Sequence, residues 1–201
     1  MSFVENTRKP VGLGGKLMVA AMNLGHQALA RWGMGFLNVG PEAEILDCGC
    51  GGGANLHALL KRCPKGTAVG LDYSTVSVAA SRKKNRAAIA AGRCRVEQGD
   101  VSALPFEDEK FDLATAFETV YFWPDLSRSF REVFRVLKSG GTFLICNESN
   151  GDTDRDEKWA KIIGGMTIYK DIELKAYLEQ AGFHEVQIHK KKSWLCVTAR
   201  K

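Results

Sequence analysis

The stretch LDCGCGGGAN, residues 46–55, sets glycines at 49, 51, 52 and 53 between a short apolar run and a helix-like pattern. No other stretch constrains the fold as much. Bare backbone at a strand-to-helix turn serves positive φ angles, close helix-to-strand packing, or a ligand lying on the main chain. Such a turn also presents unpaired N–H groups at the positive end of a helix dipole, which suits a nucleotide or a carboxylate. Gly49 and Gly51 with Ala54 in third place form an imperfect GxGxxG/A, so a dinucleotide remains one reading.

The rest of the chain repeats that grammar. AEILD (43–47) reads as a strand, and ANLHALLKRC (54–63) as a helix turning Leu56, Leu59 and Leu60 to a sheet. TAVGLD (67–72) is a second strand, after which Ser74 or Thr75 caps a helix reaching about residue 91. RCRVEQGD (93–100) and FDLATAF (111–117) are further strands. A helix over 126–137 is closed by KSGG (138–141), and TFLICNE (142–148) is the fifth strand. Alternating strands and helices imply a parallel sheet covered on both faces. After a slack stretch, GDTDRDEKWA, a helix over about 171–181 stops at Gly182. Residues 184–190 and 193–199 then pair as an antiparallel hairpin. Ahead of the core, about 16–37 reads helical, with Leu17, Ala20, Ala21, Leu24 and Ala28 on one face and a break near Gly25.

Length and composition bound the rest. At 201 residues the chain is expected to form a single domain. No apolar run reaches the roughly 20 residues of a membrane span, and the polar MSFVENTRKP start lacks a signal peptide's apolar core, so a cytoplasmic protein is expected. The cysteines at 48, 50, 63, 94, 146 and 196 form no paired CxxC set and read as buried fillers, with no metal site expected. A net charge of +5 comes partly from residues 82–86 and 190–192. Neither run interleaves aromatics, which speaks against nucleic acid.

Two acids narrow the ligand. Asp72 closes the second strand, where a carboxylate can accept both ribose hydroxyls of a nucleoside. That suits NAD and other adenosine ligands equally. Asp100, closing the third strand, stands on the same edge and suits an adenine amino group.

Taken in order, ILDCGCGGG (45–53), VGLDYS (69–74), GDVSALPFEDEKFD (99–112) and FREVFRVLKSGGTFLI (130–145) resemble the motifs of class I S-adenosylmethionine-dependent methyltransferases. The likeness is to the small type similar to ubiquinone/menaquinone-biosynthesis enzymes. It implies a doubly wound, mostly parallel, seven-stranded Rossmann-like α/β sheet with an antiparallel C-terminal hairpin. It also implies S-adenosylmethionine as cofactor and S-adenosylhomocysteine as product. By resemblance, Asp47, Gly49, Gly51 and Gly53 surround the methionine half, Asp72 holds the ribose, Tyr73 lies beside the adenosine, and Asp100 with Val101 grips the adenine. Glu118 is counted among the cofactor contacts as well.

An activated sulfonium methyl transfers by in-line displacement, so alignment is the main task, and a base is needed only for a protonated acceptor. The crevice should lie at the switch point between the first and fourth strands. Residues 117–123 end the fourth strand there, and their aromatic set is a candidate wall of an apolar acceptor pocket, with core packing the alternative for Phe122 and Trp123. Glu118, His26 and Tyr121 are candidate catalytic residues, a buried carboxylate such as Glu118 being costly unless paired or used. Residues 1–40, with Met18, Met22, Asn23, His26 and Trp32, are expected to form a lid. Residues 149–170 form a second cover, centred on Met166, Thr167, Ile168 and Tyr169. The Glu118-to-Tyr121 stretch lacks the Pro-Pro-aromatic signature of nucleic-acid amino methyltransferases, which favours a small-molecule acceptor. An RNA methyltransferase, a non-catalytic S-adenosylmethionine-binding protein and a dehydrogenase are the alternatives. Nothing in the pattern sets the oligomeric state.

Overall fold

A computed structural model describes residues 10–201, apart from the side chains at 13, 16, 20, 23, 24, 154, 155 and 157. Residues 1–9 of the expected lid, and the side chains of Ala20, Asn23 and Leu24, lie outside the described residues. Seven strands form one sheet in the order β3-β2-β1-β4-β5-β7-β6. They are β1 (Glu44–Cys48), β2 (Thr67–Asp72), β3 (Cys94–Gln98), β4 (Phe111–Phe117), β5 (Leu137–Asn147), β6 (His184–Lys191) and β7 (Trp194–Arg200). The first five strands run parallel, and β7 pairs antiparallel with both β5 and β6. The doubly wound topology and the terminal hairpin are those expected, with the winding reversing between β1 and β4.

Helices cover both faces because parallel strands expose apolar side chains on each side. The helices are α1 (Gly12–Gly25), α2 (Gln27–Gly33), α3 (Ala54–Arg62), α4 (Thr75–Lys84), α5 (Arg86–Ala90), α6 (Leu126–Val136), α7 (Asp154–Ile162) and α8 (Asp171–Gln180). One face packs Phe130 and Val133 of α6 and Leu174 and Leu178 of α8 against Phe143 and Ile145. The other packs Leu29 of α2 and Leu56, Leu59 and Leu60 of α3 against Ile45, Ala68 and Leu144. Each fully buried leucine contributes about 1.5–3 kcal/mol relative to exposure.

Four boundaries differ from expectation. The helix after β2 breaks at Asn85, whose side-chain amide donates to Gly53 O at 3.1 Å and Ser81 O at 3.0 Å, so a tertiary tie to the glycine turn overrides helix continuation. The KSGG stretch belongs to β5, which starts at Leu137 and meets β4 through a register shift after Phe111. The slack stretch after β5 contains α7, started by a capping box between Thr153 and Asp156. Finally, the expected inward face of the first helix is wrong: Leu17, Ala21 and Ala28 are exposed, and Val19, Leu29 and Ala30 are buried. The break at His26 between α1 and α2 resets the helical period, so no single stripe runs through both.

Loops at the carboxyl edge are tied to the core. Arg135 of α6 donates to Leu104 O at 3.0 Å and Phe106 O at 2.7 Å, and Glu132 accepts from Leu104 N at 2.8 Å, fixing the segment after β3. Ser74 Oγ caps α4 by accepting from Ser77 N and donates to Pro10 O at 3.0 Å, anchoring the chain ahead of α1. Among the described residues, no helix is long and apolar enough to cross a membrane.

Candidate functional site

A cavity of about 310 Å³ opens at the carboxyl ends of β1, β2, β3 and β4. One rim is the glycine turn with Asp72, Tyr73, Asp100 and Val101. The other comprises Val19, Met22 and His26 from α1 and its end, with Phe117, Glu118, Phe122 and Trp123.

The glycines of the turn serve different ends. Gly49 and Gly53 have φ of +75° and +76°, and a Cβ would meet Thr119 at the first and Ser81 and Asn85 at the second. Protein packing alone requires both. Gly51 also has positive φ, +52°, yet among the described residues nothing beyond its own chain neighbours lies within 4 Å of where its Cβ would stand. It lines the cavity, so the space over its backbone is room for a ligand. Gly53 is absent from the lining residues.

Asp72 is buried, and its carboxylate accepts from Gly51 N at 2.9 Å and Ser74 N at 2.9 Å. Burial raises its pKa, opposed by those hydrogen bonds. The Ser77 hydroxyl bonds it as well, and the acceptor capacity that remains is available to hydroxyls on the cavity side. Asp100 is exposed; its Oδ1 accepts from the Ser102 N–H and hydroxyl, each at 2.8 Å. Tyr73 is half-exposed on the rim, while Val101 is buried. Asp47 does not line the cavity. Its Oδ1 accepts from Thr115 Oγ1 at 2.7 Å, its buried Oδ2 lacks a partner among the described residues, and burial pushes its pKa up to about 7.

The second rim converges on Glu118, which stands just after β4 with φ of 59°. Its Oε1 accepts from the Glu148 N–H and from Tyr121 Oη at 3.2 Å, and Tyr121 Oη accepts from Ser149 N at 2.9 Å. Burial pushes the Glu118 carboxyl up to about 8, with nearby Glu148 adding to the rise. His26 Nε2 lies 3.7 Å from Glu118 Oε2 and 3.6 Å from Glu148 Oε2. Burial lowers the His26 pKa, and Glu148 opposes that shift. Tyr121 is buried behind Glu118 and is not part of the cavity wall. Glu148 was not singled out from the sequence. Only its place directly after the apolar run TFLIC and Asn147, at the end of the strand beside β4, could have marked it.

Of the aromatic residues, Trp123 doubles as core, lying 5.9 Å from the Phe130 ring and 6.4 Å from that of Phe143, whereas Phe122 is half-buried on the wall. Trp32 stacks toward Trp194 rather than the cavity. The described residues of 149–170 are not among those lining it; Thr167 N donates to Tyr121 O at 2.9 Å, which ties this segment to the back of the wall. The basic runs are partly engaged. Arg82 donates to Val96 O, and Lys190 pairs with Asp152 and Asp171, each at 3.0 Å.

The donor set fits S-adenosylmethionine: acceptors at Asp72 and Asp100 for hydroxyl and amino hydrogens, open space over Gly51, and apolar wall beyond. Residues 46–145 match the family described as Methyltransferase domain. A demethylmenaquinone methyltransferase of Roseiflexus castenholzii is 35% identical over 147 residues, covering 73% of this chain and 60% of that protein. The 24-methylenesterol C-methyltransferase 3 of Arabidopsis thaliana is 28% identical over 162 residues, covering 75% and 44%. The chain thus spans less than two thirds of the curated relatives it matches. Among solved structures, a chain from the complex of the Haloferax volcanii Trm112 methyltransferase activator with a methyltransferase superposes with a TM-score of 0.82 at 21% identity, covering 99% and 97%. An Aquifex aeolicus SAM-dependent methyltransferase does so with 0.77 at 18% identity, covering 92% and 97%. With its ordered motifs, sheet order and domain match, the chain belongs to the class I S-adenosylmethionine-dependent methyltransferases.

Proposed function

We propose that this protein transfers the methyl group of S-adenosylmethionine to a small, partly apolar molecule. The observation that carries this is the single cavity wall joining the bare Gly51 backbone and Asp72 to Phe122, Trp123 and Glu118. When bound, the cofactor would supply a sulfonium-activated methyl to an acceptor aligned opposite the sulfur, which would leave as the thioether of S-adenosylhomocysteine. The chain's own residues do the positioning. Asp72 accepts ribose hydroxyls while its hydrogen bond from Gly51 N holds the turn in place. Asp100 and Val101 hold the adenine beside Tyr73. Gly49 lines the cavity with Gly51, whereas Asp47 and Gly53 act from beneath, shaping the turn. Holding an acceptor at attack distance can supply roughly 7–11 kcal/mol of the barrier.

The acceptor side is assigned to His26, Met22, Glu118, Phe117 and Phe122, with Tyr121 orienting Glu118. An apolar wall with one carboxylate suits a quinone- or sterol-like ring better than a polynucleotide, and relatives named for demethylmenaquinone and sterols are in keeping with that. The whole chain, 1–201, is read as one methyltransferase domain, with 1–40 as a lid over the cavity and 149–170 buttressing its wall. The six free, buried cysteines suit a reducing, cytoplasmic setting.

Calorimetry with S-adenosylhomocysteine tests the cofactor half, with one site per chain expected. Incubating metabolite extracts with methyl-labelled S-adenosylmethionine tests the acceptor half. A labelled small molecule is expected; label only in RNA, or none in the presence of bound cofactor, would replace this reading with one of its alternatives.

A further inference from the structure

His26, Glu118 and Glu148 come from three separate parts of the chain, namely the junction of α1 and α2, the end of β4 and the end of β5. One donor atom of each lies within 4.8 Å of the other two. We propose that these side chains form a divalent-cation site on the cavity wall, using His26 Nε2 and one oxygen from each glutamate.

The first argument is spacing. The histidine nitrogen stands 3.7 Å and 3.6 Å from the two carboxylate oxygens, beyond hydrogen-bond reach. The groups face one another across a gap with no direct bond. Donors around an ion at about 2.1 Å stand roughly 3.0–3.4 Å apart, so a small swing of the half-exposed Glu148 side chain closes the set.

The second argument is charge. Two acidic side chains converge here, and among the described residues neither has a lysine or arginine within ion-pair distance. Three other pairs of acids are bridged by a cationic side chain. Lys138 bridges Glu44 and Asp112, Arg135 bridges Asp108 and Glu132, and Lys190 bridges Asp152 and Asp171. At the cavity wall, a bound cation would take the place that lysine or arginine fills elsewhere.

The third argument is orientation. Glu118 Oε1 is occupied by the Glu148 N–H and the Tyr121 hydroxyl, and that hydroxyl is fixed by Ser149 N–H. These bonds turn Oε2 toward His26. Ligands held by such outer hydrogen bonds are a regular feature of metal sites. Tyr121, absent from the cavity wall, thereby acquires a positioning role.

Two carboxylate oxygens and one imidazole suit Mn²⁺, Fe²⁺ or Zn²⁺ better than a thiol-seeking or an all-oxygen ion. His26 and Glu118 line the cavity, so the open side of the site faces it. Water or an oxygen of the acceptor would complete the coordination, which selects acceptors carrying a hydroxyl or carbonyl group. The site itself needs no cofactor and stands or falls separately from the methyltransferase reading.

The test is titration of the full chain with Mn²⁺, followed by calorimetry and by the EPR signal of the free ion. One site is expected. His26→Ala and Glu148→Gln, both at partly exposed side chains, should each weaken it about tenfold or more, as loss of a ligand does at least as strongly as loss of an outer partner. S-Adenosylhomocysteine is titrated in parallel, and Glu148→Gln, outside the cavity lining, should still bind it. No Mn²⁺ binding up to about 1 mM alongside intact S-adenosylhomocysteine binding overturns the site. So does an Mn²⁺ affinity unchanged in both variants. Mn²⁺ binding that both variants lose, in a chain that never binds S-adenosylhomocysteine, supports the cation site and refutes the cofactor assignment instead.

Discussion

The loops after β1, β2 and β3 meet the cavity with backbone and short acids, whereas α1 and the segments after β4 and β5 meet it with long side chains. On the first rim each group has a tie to a neighbour close in the chain or to the sheet itself: Asp72 to Ser74, Asp100 to Ser102, the glycine turn to Leu71 O. On the second, His26, Glu118 and Glu148 are brought together only by tertiary packing. A rim of local turns can be kept while its opposite is rebuilt, and that division separates a shared cofactor from a private acceptor.

The comparison can be broken most directly at Asp72. Asp72→Ala removes two prospective hydrogen bonds to a charged group, at about 1.5–3 kcal/mol each, so S-adenosylhomocysteine affinity should fall by about 100-fold or more in calorimetry. Retained affinity would show that the first rim does not hold the sugar. Gly49→Ala tests whether the same rim is structural at its base. A Cβ there would stand 2.0 Å from Thr119 Oγ1 on a backbone with φ of +75°, so urea unfolding should show a loss of about 3 kcal/mol.

Asp47 offers a pH-dependent test. Its folded pKa of about 7 lies above the unfolded value of 3.8, so the folded state holds the proton more tightly. The stability this contributes is fully present below about pH 4 and is lost as pH rises to about 7. Asp47→Asn should therefore flatten the stability profile between pH 5 and 7 by about 2 kcal/mol in chemical denaturation of the cofactor-free chain. An unchanged slope would mean that the carboxylate is solvated or paired.

The smallest effect is expected on the second rim. Phe122→Ala, at a half-buried wall position, should alter S-adenosylhomocysteine affinity and unfolding free energy by less than about 1 kcal/mol while lowering turnover of whichever acceptor the metabolite screen identifies. A large loss of cofactor affinity in that variant would merge the two rims.

The sheet was legible because each of its signals is local. Short, nearly continuous apolar runs mark β2 and β4 to the residue, and Leu56, Leu59 and Leu60 announce the buried side of α3. Asn85 breaks α4 from α5 for a bond to Gly53 O that no local pattern encodes. The start of α7 was written in Thr153 and Asp156, a capping box hidden in a segment without apolar periodicity. On the site, Asp72, Gly51 and Asp100 follow from strand ends. Glu148 does not, because its meaning depends on β5 lying beside β4 and on α1 ending above both.

The outermost strand β3 carries a further consequence. Arg93 O bonds Ala68 N and Gly99 N bonds Asp72 O, so odd-numbered residues turn inward and Val96 turns its carbonyl to the free margin of the sheet. Arg82 of α4 reaches over and occupies that carbonyl with Nε at 3.0 Å and Nη2 at 2.7 Å. A foreign strand seeking to add there finds an acceptor already taken and a cation in its path. The arginine thus blunts the sheet's margin at Val96, and a side chain of a neighbouring helix does for this edge what a bulge or a covering loop does for others.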